Sequence, residues 1–258
     1  VSLAMCILQN DYIIACADSA VAYFPDDGEK EATQFRSDKI FKLSDKVFFI
    51  ATGKSILVSI LKVELREVLS SNADLIMCMA VAERVLKDLK KGIVRNPEKI
   101  IRDLSDKLEM DFHYERDIEP ALSLFQKDDY VDMAAYLIGF TDAGRSGMVD
   151  IRSSSFVKTP EDSLKGFPLI ILGPDDEFND DADQFSKYQK ILIPPIEQRT
   201  FDNFMSRMVY VHAQISADNP INVSTDANFQ ILTKHNGEIM WQETKIDTLQ
   251  FYKEWGLG

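Results

Sequence analysis

Three short runs decide the reading of this chain: YIIACADS, Tyr12 to Ser19; DKIFKL, Asp38 to Leu43; and FFIATG, Phe48 to Gly53. Each contains apolar, strand-forming residues, and each carries a polar or small residue where the strand starts or stops: Asp18-Ser19, Lys39 and Gly53. Working outward, Ser2 to Leu8 and Tyr12 to Ala17 flank Gln9-Asn10-Asp11, the pattern of a β-hairpin. Ala4, Cys6, Ile14 and Cys16 leave neither strand with a polar face, so both sides of the hairpin should be covered. Lys39 to Leu43 and Val47 to Ala51 form a second hairpin about Ser44-Asp45-Lys46. Between the two, Tyr23 to Thr33 holds Pro25, Asp26, Asp27 and Gly28 among charges and reads as an exposed loop.

After Gly53 the period changes to that of helices. Leu57, Leu61, Leu65 and Leu69 make one stripe, and Leu75, Met79, Ala82, Leu86 and Leu89 a second, with Ser71 and Asp74 spaced as a capping box before it. Asn96-Pro97 predicts the cap and first position of a third helix burying Ile101, Leu104, Leu108 and Phe112. Strand patterns resume at Val131 to Phe140, Met148 to Ile151 and Phe167 to Leu172, the last ended by Gly173-Pro174. A helix over about Phe201 to Ala217 carries Phe204, Met208, Val211 and Ile215 on one stripe. Two terminal strands flank Lys234-His235-Asn236-Gly237, a tight-turn sequence, and a short amphipathic helix closes the chain. Hairpins and paired helices in this order exclude a simple alternating parallel sheet. The economical packing is α+β, a four-layer α-β-β-α sandwich with two mainly antiparallel sheets, in a single domain spanning 1–258.

The 258 residues suffice for one large core. The 29 basic and 42 acidic side chains leave a formal charge of -13, which argues against nucleic acid or an anionic membrane as partner. Cys6, Cys16 and Cys78 lie inside apolar runs with no CxxC spacing, which fits a reducing, cytoplasmic setting, and Cys6 and Cys16 read as small apolar fillers. No long apolar run or basic leader is visible, and neither a membrane span nor a signal peptide is expected.

With those residues in place, the chain resembles the proteasome β-type subunits and their bacterial relatives among the N-terminal-nucleophile hydrolases. Tyr12 to Ser19 is similar to that family's strand ending in Ala-Asp-Ser, Asp38 to Leu43 to its lysine strand, and Phe48 to Gly53 to the strand ending at its cleft. The Ser2-to-Asp18 and Lys39-to-Gly53 intervals match the family's as well. The similarity is clearest over residues 2 to 89 and continues through YLIGFTD, Tyr136 to Asp142. It implies a hydrolase of peptide or small amide substrates, a homo-oligomer, and no cofactor or metal.

The resemblance also implies roles. A hydroxyl near neutral pH needs a base as it attacks a carbonyl, and an α-amine on the same residue, with an ordinary pKa of about 7.7 to 8.0, can supply it. Ser2 would be the nucleophile, Asp18 would orient Lys39, Lys39 would tune the amine, and the Gly53 N–H would stabilise the oxyanion. With Val1 attached, the Ser2 amine is an amide and cannot act as base. Activity therefore requires processing that frees Ser2. Two further departures stand beside this one. Pro174 follows Gly173 where the family has a serine, and Asn222, or Asp218 if the loop is shifted, stands where the family has a late aspartate. Two alternatives stay open: a catalytically inactive structural or binding protein on this scaffold, and a small-amide hydrolase.

Other polar features read as ordinary. The run Asp175, Asp176, Glu177, Asp180, Asp181 and Asp183 lacks the glycine and terminal glutamate of a calcium loop and reads as a solvated loop. His113, His212 and His235 show no ligand spacing and carry no metal or catalytic assignment.

Overall fold

The computed structural model describes residues 3–23, 31–36, 38–53, 55–96, 133–151, 170–172, 187–188, 190–218 and 223–254, with a few single positions besides. Two compact units are present: Val1–Ile40 with Asp162–Gly258, and Phe41–Glu161.

The first unit is built on a five-stranded antiparallel sheet. Its strands are β1 (Ala4–Leu8), β2 (Tyr12–Asp18), β9 (Ile170–Leu172), β10 (Asp226–His235) and β11 (Glu238–Asp247), in the order β11-β10-β2-β1-β9. The first hairpin forms as the sequence predicts, with Gln9 N donating to Tyr12 O at 2.9 Å to close the turn. Leu3, Met5 and Ile7 share one face with Ile14, Cys16, Phe229 and Ile231. That face packs on helix α3 (Phe201–Asp218) through Phe204, Met208, Val211 and Ile215, the stripe expected from periodicity. Helix α4 (Thr248–Glu254) follows β11 directly. At the β10–β11 turn Asn236 and Gly237 both take positive φ, 51° and 85°, the two-residue geometry that suits the twist of a hairpin. β11 is an edge strand, and its Glu238, Glu243 and Lys245 are exposed, which discourages pairing with another chain.

The second unit holds β6 (Val47–Gly53), β7 (Met133–Phe140) and β8 (Ser146–Asp150), with β5 (Ile40–Lys42) beside β6 in a four-stranded sheet. Helices α1 (Ser55–Val68) and α2 (Leu75–Arg95) cover one of its faces, where Val47, Phe49 and Ala51 meet Leu61, Leu65, Leu75, Cys78 and Ala82. Phe48, Ile50 and Ile138 on the opposite face are buried too, as expected for a strand apolar on both sides. Gly139 pairs with Val47, and a Cβ there would press on the Lys46 carbonyl oxygen and come within 2.8 Å of Val47 Cα. Backbone cannot yield as a side chain does. We predict that Gly139→Ala costs about 2–3 kcal/mol, read as a lower urea midpoint at unchanged slope.

Three differences from the sequence reading have local causes. The cap of α2 is Asp74 rather than Ser71: Asp74 Oδ1 accepts Met77 N at 2.9 Å and its Oδ2 accepts Asp142 N at 2.8 Å. Ser71 instead lies in the preceding turn, where its carbonyl accepts Asp45 N at 2.7 Å. The stretch read as one loop contains strand residues on either side of 24–30, because β3 (Ala20–Tyr23) and β4 (Glu31–Arg36) pair with each other as a two-stranded ribbon. β11 also runs six residues past Trp241, carried by its register with β10 down to Asp226↔Asp247 rather than by its own exposed, polar pattern. Asn96 does cap the next helix, its Oδ1 accepting Lys99 N at 3.1 Å, whereas Ile101, Leu104, Leu108 and Phe112 lie outside the described residues.

Candidate active site

Asp18 is the last residue of β2 and points its carboxylate into the interior, 1% exposed. Register explains the placement. Asp18 N donates to Leu3 O at 3.1 Å, extending the β1–β2 ladder one pair beyond Ala4↔Ala17. Lys39, 7% exposed, stands directly before β5, and its Nζ reaches Asp18 Oδ1 at 2.6 Å. The same oxygen accepts Leu3 N at 2.7 Å. One carboxylate thus gathers a lysine and the backbone of the residue that follows Ser2.

Two opposing effects act on Lys39. Burial lowers its pKa from the ordinary lysine value, while the charge and hydrogen bond of Asp18 raise it, and burial is the larger. The ammonium is therefore easier to deprotonate than a surface lysine's, despite its short ion pair.

Behind this pair lies a polar cluster. Ser19 N donates to Ser224 Oγ at 3.2 Å, and the two hydroxyl oxygens are also 3.2 Å apart. Ser216 Oγ donates to Ser224 O at 2.8 Å, and Thr248 Oγ1 donates to Thr225 O at 3.0 Å. His212, fully buried, places Nδ1 2.8 Å from Thr248 Oγ1. Burial, with a further push from the Lys39 charge, lowers its pKa to about 3, so the ring is neutral at ordinary pH.

No family model matches the sequence, and no curated protein sequence matches it. A solved structure does: the Anbu (Gly-1) mutant from Hyphomicrobium sp. strain MC1 superposes with a TM-score of 0.57 at 10% identity, over 100% of this chain and 95% of that one. This chain has the N-terminal-nucleophile hydrolase fold. At that identity the likeness shows fold alone. The expected class is met: α+β, with two antiparallel sheets flanked by helices.

Of the residues that the sequence singled out on this hydrolase fold, Asp18 and Lys39 come together. Gly53 closes β6 opposite Met133, in the second unit. Val1, Ser2, Pro174, Asn222 and the acidic run from Asp175 to Asp183 lie outside the described residues. Asp218, the alternative to Asn222, accepts the Tyr188 hydroxyl at 3.0 Å instead. Ser224 went unnoticed in the sequence, although its place just before a strand and a Thr-Asp pair was the available signal.

The cysteines behave as fillers. All three are buried, and burial raises each thiol, Cys78 to about 12, which withholds the thiolate needed for nucleophilic attack. Among the described residues, no group of three or more His, Cys, Asp or Glu side chains is placed to hold a metal ion. Nor is any helix among them long and apolar enough to cross a membrane.

Proposed function

We propose that this chain is an N-terminal-nucleophile amide hydrolase acting on peptides, with Ser2 as nucleophile once processing has freed its amine. The observation that carries the reading is the Asp18 carboxylate, which holds Lys39 Nζ and the Leu3 N–H on a single buried oxygen. That arrangement ties the residue next to Ser2 to the lysine that would tune it. In the reaction the Ser2 amine takes the hydroxyl proton while Oγ attacks the substrate carbonyl carbon. The amine then returns that proton to the leaving nitrogen, and water hydrolyses the resulting ester by the same route. Lys39, kept cationic by Asp18, disfavours a second positive charge nearby, so the Ser2 amine stays neutral and able to accept a proton. The sequence resemblance assigns the Gly53 N–H to the oxyanion and suggests a homo-oligomeric assembly, while the order of elements favours a single domain over 1–258.

The test begins with the N-terminus of the protein from its native source. We expect Ser2 to be the first residue and to be labelled by an electrophile directed at N-terminal hydroxyls, with labelling abolished in Ser2→Ala and reduced at least about 100-fold in Lys39→Ala. A processed protein that remains unlabelled would instead identify a silent member of the fold, in which the Asp18–Lys39 pair only secures the end of β2.

A further inference from the structure

Several polar groups converge on one imidazole. His212 Nδ1 lies 2.8 Å from Thr248 Oγ1 and 3.3 Å from Ser216 Oγ. Each hydroxyl has one hydrogen, and each directs it at a backbone carbonyl: Thr248 to Thr225 O at 3.0 Å, Ser216 to Ser224 O at 2.8 Å. Towards the ring, both oxygens can therefore only accept. The ring proton belongs on Nδ1. The opposite tautomer would turn a hydroxyl away from its carbonyl and leave an N–H at Nε2, a buried atom without a hydrogen-bond partner among the described residues. An unpaired lone pair there costs less than an unpaired N–H, because a buried donor without an acceptor loses its whole hydration.

We propose that His212 is a positioning residue for the Asp18–Lys39 pair: its Nδ1–H, shared by Thr248 and Ser216, fixes the 224–225 segment, and Ser224 in turn holds the residue that follows Asp18. This rests on the reading of Asp18 and Lys39 as the functional pair. The chain of contacts is continuous. Ser224 Oγ donates to Asp226 O at 3.0 Å, so towards Ser19 it is an acceptor, receiving the Ser19 N–H and hydroxyl. Remove the Nδ1–H, and two hydroxyls bonded to consecutive carbonyls lose their common donor. The end of β2 is then less firmly held and water gains access to Lys39. Since burial is what lowers Lys39 most, wetting the site raises it towards an ordinary lysine. The imidazole itself is too weakly basic to take a proton in the reaction, which confines it to positioning.

The experiment uses the full chain and needs no turnover. Nitrogen NMR of the labelled wild-type protein should show the His212 proton on Nδ1 and a bare Nε2. The Lys39 titration midpoint, followed at Cε, should rise by about half a pH unit or more in His212→Gln and Ser224→Ala. It should stay near the wild-type value in His212→Asn, whose amide places an N–H where Nδ1 stands. An unmoved Lys39 midpoint in folded His212→Gln or Ser224→Ala would overturn the proposal, as would a ring proton on Nε2. Should His212→Gln not fold, the wild-type tautomer and Ser224→Ala decide. Failure of Ser2 to react with the electrophile removes the hydrolase reading and leaves these NMR outcomes as they are.

Discussion

Lys39→Met should destabilise the protein by about 3–5 kcal/mol at neutral pH, because it removes the cation that pairs with a buried carboxylate at 2.6 Å. Asp18 is 1% exposed and Lys39 7%, so water cannot replace the missing partner without the end of β2 opening. The Leu3 N–H still donates to Asp18 Oδ1 in the variant, but a neutral donor offsets less of the desolvation of an ion than a cation does. Asp18→Asn should cost less than Lys39→Met, since a lysine on a long stem can turn its ammonium outwards where a short carboxylate cannot. The double variant Asp18→Asn/Lys39→Met should recover at least about 1 kcal/mol relative to the sum of the singles. Urea unfolding of the four proteins reads all three quantities. Single variants that each lose less than about 1 kcal/mol, with no coupling, would show that the pair is solvated and the buried geometry wrong.

Acidification should act through His212. Its folded pKa lies near 3, below the ordinary 6.5, so the unfolded chain binds the extra proton first as pH falls. The sign follows: this contribution is fully present above about pH 6.5 and is lost progressively down to about pH 3. A shift of that size corresponds to roughly 5 kcal/mol over the whole window, with a slope of about 1.4 kcal/mol per pH unit between the two values. The measurement is a difference between two proteins that differ at one position, so the pH dependence they share cancels. Unfolding free energies at pH 7, 6 and 5 should fall more steeply for wild type than for His212→Asn, which has nothing to protonate at that position. Parallel profiles would mean that the imidazole is wetter than its full burial implies.

Much of the scaffold was legible in the chain. The strands from Ala4 to Asp18 and from Val47 to Gly53, the stripe of α3 and the Asn236-Gly237 turn follow from apolar periodicity and from backbone preferences that act over a few residues. Even Asp18 and Lys39 could be named, because both occupy strand ends where a polar residue interrupts an apolar run. Local pattern did not extend further. Ser19 and Ser224 are 205 residues apart and meet only because β10 pairs with β2. His212 adjoins an apolar stripe and looked like ordinary helix, since its partners come from Ser216 one turn on, from Thr248 on another helix and, through them, from two loop carbonyls. The sequence by itself determined the first hairpin, the β6 strand and the helices α1, α2 and α3, and that a carboxylate and a lysine stand at strand ends. Only the tertiary structure decided that Lys39 Nζ and the Leu3 N–H meet on one Asp18 oxygen and that His212 is buried against Thr248 and Ser216, because burial and hydrogen-bond geometry arise from contacts that no local stretch contains.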